Sequence, residues 1–298
     1  MNGRSVVLRA CAKINWTLEV LGRRPDGYHE IRTVLQTISL CDTVAACEAR
    51  TPSLTVAAPA GTDLGPLEEN LAWRAVAAHT DAVPVALRLR KRVPPAAGLG
   101  GGSSDAAAVL RGLDRLSARP LGPARLEVVA ATLGSDVPFF VRGGTQLAAG
   151  RGELLQPLPD LAPAWLVLVT PPLVAEGKTR RLFGLLGATD FSDGAATARL
   201  LRRLSTGQPL TTDALVNTFD RVADAAFPGL ARYRSALALA CGHALLCGAG
   251  PSLFALCSGA REARAAAARL RTLRVPARAV RTLTAGTSTR VRVCVAGA

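Results

Sequence analysis

The feature that most constrains this chain is the stretch Pro94-Pro95-Ala96-Ala97-Gly98-Leu99-Gly100-Gly101-Gly102-Ser103-Ser104-Asp105. Just upstream, Val85, Leu87 and Leu89 alternate with Ala86, Arg88 and Arg90, the period-two pattern of a half-buried strand. Just downstream, Ala106, Val109, Leu110, Leu113 and Leu116 recur at helical spacing, which predicts a helix over about 103–117 with Ser103 or Ser104 as its cap. The order is therefore strand, glycine-rich loop, helix start. Glycines let bare backbone approach a ligand, and the free N–H groups of a helix start favour an anion, so the stretch reads as a phosphate cradle. Neither standard glycine fingerprint fits it. A Walker loop needs a lysine after the glycines, and the dinucleotide pattern needs glycine where Ser103 stands. An ordinary tight corner needs one or two glycines, not four with hydroxyls behind them.

At 298 residues the chain has room for two domains. Pro157, Pro159 and Pro163 break the pattern between strand-like segments and place the boundary so that residues 1–157 and 158–298 form the two units. A hydrophobic fraction of 49% with 19% charged residues fits a soluble enzyme. The net charge of +14 raises nucleic acid, anionic membrane and phosphorylated small molecules as partners. The basic residues form no block and have almost no aromatics between them, which argues against nucleic acid. Of 36 basic side chains only Lys13, Lys91 and Lys178 are lysine, so a retained lysine is the better candidate for required chemistry. The seven cysteines are odd in number and contain no C-x-x-C pair, so buried free thiols are expected, not zinc or a disulfide framework. Met1 to Trp16 lacks the apolar core of a signal peptide, and Ala236 to Cys257 is interrupted by Gly242, His243, Gly248, Gly250 and Pro251. A cytoplasmic protein without a membrane span is expected, either monomer or homodimer.

In chain order, a strand is predicted over 5–21, with Lys13 and Asn15 on the face opposite Ile14 and Trp16. The polar loop Gly22-Arg23-Arg24-Pro25-Asp26-Gly27-Tyr28-His29-Glu30 follows, and a second strand runs from Ile31 to Leu40, ended by Asp42. Residues 51–65 read as short strand and loop, and Glu68 and Glu69 as the acidic first turn of a helix. A helix over about 124–133 ends at Gly134 and delivers Ser135-Asp136-Val137-Pro138-Phe139-Phe140 at a helix-to-strand junction, before a strand at 145–149. The second half is expected to carry a strand at 165–170, helices near 179–186, 195–204, 212–226, 230–240 and 260–272, a mobile loop at 187–194, strand-loop-strand over 243–257 and an edge strand at 289–295. Strand pairs mixed with helices indicate an α+β fold, not a doubly wound sheet.

Two side chains could carry proton chemistry. Asp136 sits among apolar residues, where a carboxylate is costly without a partner, and Lys13 lies on a strand. If they meet, they make a general base beside a cation that offsets developing phosphate charge. A helix cap and a core-edge ion pair are the alternatives.

Pro94-x-x-x-Gly98-Leu99-Gly100-Gly101-Gly102-Ser103-Ser104 resembles the second motif of the GHMP kinases, and Gly248-Ala249-Gly250-Pro251-Ser252 resembles their third, where a Ser-Gly-Ser-Gly form is commoner. Ala12-Lys13-Ile14-Asn15, Pro25-Asp26-Gly27-Tyr28-His29-Glu30 and Leu133-Gly134-Ser135-Asp136-Val137-Pro138-Phe139-Phe140 are similar to the branch that phosphorylates a diphosphocytidyl-methylerythritol in the non-mevalonate isoprenoid pathway. The resemblance implies the GHMP kinase fold, with an N-terminal ribosomal-S5-like domain, a C-terminal α+β domain and the active site in the cleft between them. It implies ATP as phosphoryl donor, with Mg2+ held more by the phosphates than by protein and no assigned metal ligand. Asp136 would be the base and Lys13 its partner, with Asn15 beside them. Tyr28 would stack on cytosine, His29 would hydrogen-bond its edge, and Thr179 and Phe183 would form the second wall. Pro94, Gly98, Leu99, Gly100, Gly101, Gly102, Ser103 and Ser104 would wrap the ATP phosphates. A GHMP kinase of other small-molecule specificity, or a non-catalytic nucleotide sensor on the same fold, are the rival readings.

Overall fold

The computed structural model describes residues 4–62, 65–81 and 83–295; positions 63 and 64 of the predicted 51–65 stretch lie outside these. The first half runs β1 (Arg4–Arg23), β2 (His29–Glu48), β3 (Ser53–Ala57), α1 (Leu71–Ala78), β4 (Val85–Arg90), α2 (Gly101–Leu116), α3 (Gly122–Leu133), α4 (Val137–Arg142), β5 (Thr145–Ala149) and β6 (Leu154–Pro157). The second runs β7 (Trp165–Val169), α5 (Lys178–Leu185), α6 (Ala195–Ser205), β8 (Val216–Asn217), α7 (Ala223–Ala226), α8 (Leu230–Cys241), β9 (Leu245–Leu246), β10 (Leu253–Cys257), α9 (Ala260–Thr272), β11 (Ala277–Arg281), α10 (Ala285–Ser288) and β12 (Val291–Val295).

Two long strands organise the first sheet. β1 and β2 pair antiparallel almost end to end, with register shifts between Cys11 and Lys13 and between Asn15 and Thr17 that bend the ribbon. The bend lets each strand serve two sets of neighbours. The first part of β2 pairs with β5 through Thr33 to Gln36, and its last part pairs with β4 through Thr43 to Glu48. β12 flanks the start of β1 and β8 runs parallel to its Thr17-Leu18. The first sheet thus takes two strands from the second half of the chain. The second sheet has the order β11-β7-β10-β9.

Side-chain alternation decides which face of each sheet is covered. Val6, Leu8, Ala10, Val44, Leu87 and Leu89 point to one side and meet Val109, Leu110 and Leu113 of α2. Burying each such leucine stabilises by roughly 2 kcal/mol. In the second half, Leu230, Leu237, Ala263 and Leu270 of α8 and α9 cover Val167, Val169 and Ala255. A third cluster joins the halves: Ile14, Trp16 and Ile38 pack with Leu166, Leu168 and Phe254, and Ala97 and Leu99 of the glycine-rich loop enter the same layer. No helix among the described residues is long and apolar enough to cross a membrane.

Several local expectations change. Asp42 does not end β2; it lies buried within the strand, because every demand of its carboxylate is met by the end of β4 and the residues after it. Glu68 and Glu69 form a separate 3-10 turn, and the cap of α1 is Asn70, whose Oδ1 accepts from Ala72 N at 3.0 Å. The Leu133–Phe140 motif joins two helices, not a helix and a strand. The predicted helix over 212–226 is broken, because Val216-Asn217 supplies an edge partner to β1. The 187–194 loop is tied down: Ser192 N donates to Val20 O at 2.8 Å and its hydroxyl reaches Glu19. β6 and β11 were not expected. Cys11 and Cys41 are paired as a disulfide between facing positions of β1 and β2, and Cys47 and Cys294 are exposed thiols, so the expectation of seven buried free thiols fails.

Candidate active site

The polar face of β1 is the spine of the site. Lys13, Asn15, Thr17 and Glu19 alternate along it, and all four are buried. Buried polar groups cost stability unless partnered, and these are joined in a chain. Lys13 Nζ donates to Asn15 Oδ1 at 3.0 Å, Asn15 Nδ2 to Thr33 Oγ1 at 2.7 Å, and Thr197 Oγ1 to Thr17 Oγ1 at 2.8 Å. Glu19 lies at the start of α6, where its carboxylate accepts from Thr197 N at 2.7 Å and Ala196 N at 3.2 Å. Burial alone would raise that carboxyl, but the hydrogen bonds from Ser192, Thr197 and Ala196 outweigh it and hold it below the usual range.

Above this row, two glycine loops from opposite halves of the chain meet. Gly98 has φ +80°, and a Cβ there would stand 2.2 Å from the Cys247 carbonyl oxygen. A Cβ on Gly248, at φ +53°, would stand 2.7 Å from Lys13 Nζ and 3.0 Å from the Gly98 carbonyl. Both positions therefore need glycine for space as well as for conformation. The contact is closed by backbone bonds: Lys13 N donates to Leu99 O at 2.9 Å and Ser252 N to Ala97 O at 3.2 Å. Asn217, buried at the end of β8, holds the second loop from behind, its Nδ2 donating to Leu246 O and Gly248 O, each at 2.9 Å.

α2 starts at Gly101, and its cap is Gly100, at φ 70°, not a serine. Ser104 is buried inside the helix with its hydroxyl committed to Cys11 O at 2.8 Å, whereas Ser103 hydroxyl has no partner among the described residues. Beneath the loop, Lys91 Nζ reaches both Asp42 and Asp105 at 2.5 Å, and Val93 N donates to Asp42 at 2.8 Å. Burial, reinforced by the neighbouring Asp42, pushes the Asp105 carboxyl well above its usual range. Asp105 braces the loop from beneath through Lys91, and its Oδ1 is buried without a hydrogen-bond partner among the described residues.

Asp136 precedes α4, and its exposed carboxylate makes no hydrogen bond or ion pair among the described residues, so it does not touch Lys13. Both groups act on Lys178, which sequence reasoning did not place in the site. Lys178 Nζ donates to Ala96 O at 2.6 Å and to Gly250 O, one carbonyl from each glycine loop. Burial and the charge of Lys13 lower its ammonium to about 8, against the opposing pull of Asp136. Its rarity in an arginine-rich chain was the available signal.

Tyr28, His29, Thr179 and Phe183 converge on one cleft of about 910 Å³, which Ser135 also lines. His29 stacks on Phe183 with ring centroids 4.4 Å apart and 15° between planes. Burial and the Arg23 charge lower its pKa, which favours the neutral imidazole. Tyr28 is 56% exposed, and its ring lies under the Arg151 guanidinium at 4.7 Å. Its loop is fixed by Asp26, which accepts from Tyr28 N at 3.1 Å, and by the Arg24–Glu30 ion pair. Arg23, Arg151 and Arg180 add positive charge to the lining. None of the three was singled out from sequence.

The profile of the GHMP kinases N terminal domain matches residues 70–144, and that of the GHMP kinases C terminal domain matches residues 195–274. A 4-diphosphocytidyl-2-C-methyl-D-erythritol kinase of Dehalococcoides mccartyi is 41% identical over 257 residues, covering 84% of this chain and 89% of that protein. One from Symbiobacterium thermophilum is 40% identical over 280 residues, covering 91% and 98%. A crystal structure of 4-(cytidine 5'-diphospho)-2C-methyl-D-erythritol kinase superposes with TM-score 0.78 at 35% identity, covering 93% of this chain and 98% of that one. Homoserine kinase from Cytophaga hutchinsonii, at 14% identity and TM-score 0.73, shares the fold. The fold, the paired glycine loops and these relatives agree: the chain belongs to the GHMP kinases, in the branch of the 4-diphosphocytidyl-2-C-methyl-D-erythritol kinases.

Proposed function

We propose that the chain transfers the γ-phosphoryl group of ATP to the 2-hydroxyl of 4-diphosphocytidyl-2-C-methyl-D-erythritol, a step toward isoprenoid precursors. The observation that carries this reading is one of placement. The ring-lined cleft of Tyr28, His29 and Phe183 includes Ser135, the neighbour of Asp136, while the ammonium of Lys13 lies where the two glycine loops meet. An acceptor in the cleft and a triphosphate on the loops would approach each other across these two side chains. The two halves, residues 1–157 and 158–298, flank that cleft, with β8 and β12 lent back to the first sheet.

In the reaction, the acceptor oxygen forms a bond to the γ-phosphorus as the bond to the β-bridging oxygen breaks. ADP leaves with that electron pair, and the hydroxyl proton passes to the Asp136 carboxylate. Lys13 offsets charge on the transferring group from its seat on Asn15. Positioning and fixed charge supply most of the catalysis in such transfers. The residues from Pro94 to Ser103 hold the phosphates chiefly through backbone N–H groups at the start of α2, with the Ser103 hydroxyl added. Mg2+ enters with ATP as part of the substrate, and no protein ligand is assigned to it. Cytosine inserts beside the His29–Phe183 stack with Thr179 at its edge, and Tyr28 covers it once Arg151 turns to the diphosphate. Arg23 and Arg180 match the same diphosphate charge.

The test is direct: purified protein, MgATP and the diphosphocytidyl acceptor, followed by phosphorus NMR. A new phosphomonoester signal that depends on the acceptor is expected. ADP formation only with a different alcohol would move the chain to another specificity, and ATP binding without turnover on any acceptor would make it a sensor.

A further inference from the structure

Neither the resemblance nor the proposed reaction has a use for Lys178, yet it stands where the two glycine loops meet. Its ammonium bonds the carbonyls of Ala96 and Gly250. Both residues have left-handed backbone, at φ 52° and 61°, and Ala96 lacks a glycine's freedom to adopt it. The two carbonyls belong to loops that are far apart in sequence and that together shape the phosphate cradle. Lys178 is also the first residue of α5, whose next residue, Thr179, and whose Phe183 line the acceptor cleft. Lys13, Asp136 and Cys247 are the titratable groups that act on it.

We infer that Lys178 is a positioning residue for the nucleotide: it clamps the two glycine loops together by their carbonyls and places a positive charge at the edge of the triphosphate seat. The clamp turns both left-handed carbonyls toward one ammonium, and the Gly250 and Ser252 N–H groups are bonded to the Cys247 and Ala97 carbonyls, so the seam between the loops is fixed on both sides. An arginine could not replace it at full effect, since a planar fork is longer and cannot sit between two carbonyls as a compact ammonium does. This explains why lysine stands here in a chain where nearly every other basic residue is arginine.

The inference rests on the assignment of the glycine loops to ATP, and steady-state kinetics with calorimetry separate the two. Lys178→Met is expected to raise KM for MgATP at least tenfold while KM for the acceptor changes less than threefold; Lys178→Arg is expected to recover part of the loss. The same ammonium has a lowered pKa near 8. A triphosphate beside it would raise that value, so MgATP binding to the wild-type protein at pH 8 should take up a fraction of a proton, about one half, read from titrations in two buffers of different ionisation enthalpy. A KM for MgATP within twofold of wild type in Lys178→Met, or a loss confined to the acceptor, overturns the inference. If Lys178→Met does not fold, the absence of proton uptake in the wild type overturns it equally. Wild-type protein that fails to bind MgATP overturns the nucleotide reading itself.

Discussion

The glycine-loop junction and the ring-lined cleft are built on opposite plans. The junction is made of backbone: Gly98 and Gly248 approach until a single methyl would collide, bonds from Lys13 and Ser252 close the seam, and Lys91, Asp42 and Asp105 brace it from below. The acceptor cleft is made of side chains: His29 stacked on Phe183, an exposed Tyr28 under Arg151, and a loop secured by Asp26 and the Arg24–Glu30 pair. A backbone cradle cannot be altered one residue at a time without moving the fold. A wall of rings can. On the proposed reading, the shared part of the chemistry, holding a triphosphate, is on the rigid plan, and the part that selects an acceptor is on the exchangeable one.

Asp136 lies between the two regions, so Asp136→Asn tests whether they serve one reaction. Turnover is expected to fall about 1,000-fold, roughly 4 kcal/mol of barrier, with KM values for ATP and acceptor little changed. Near-normal turnover would separate the two regions functionally and sink the mechanism. On the backbone side, Lys91→Met strands the Asp42 carboxylate in a buried site; breaking such a pair costs about 3–5 kcal/mol, and the melting temperature should drop along with ATP binding. If stability is kept, the brace beneath the loop is not what holds it. On the ring side, Phe183→Ala removes the partner of His29 and should raise the acceptor KM about tenfold, roughly 1.4 kcal/mol, without touching KM for ATP. Tyr28→Ala, whose ring is largely exposed, should do the same by a smaller factor. The smallest effect is on pH. Because His29 favours its neutral form, the acceptor KM should stay level down to the ordinary histidine range and rise only below it, as the ring charges. A KM that instead falls as the ring charges would mean that His29 binds as a cation.

What the chain reveals without coordinates follows the same division. The strand, glycine loop and helix of 85–116 are legible because local spacing, turn chemistry and periodicity coincide. Long polar-apolar alternation announces β1, and the Pro-Asp-Gly turn announces the Tyr28–His29 loop. The cap of α2 misleads, since Ser103 and Ser104 have capping chemistry but a glycine at positive φ already turns the chain at Gly100. The break at Val216-Asn217 misleads for a different reason: a helical pattern yields to the free edge of β1, a partner 198 residues away for the neighbouring Val20–Thr218 bond.

By itself, the sequence determined the α+β class, the glycine-rich loop between strand and helix, and the residues able to do proton chemistry, because each is written in neighbours a few positions apart. Only the tertiary structure decided that Lys178 joins Ala96 to Gly250, that Asp105 pairs with Lys91, that Asp136 stands free of Lys13, and that His29 leans on Phe183. Those are contacts between segments tens to hundreds of residues apart. Their energies depend on burial and on which charge lies next to which, quantities that exist only once the two sheets have closed on each other.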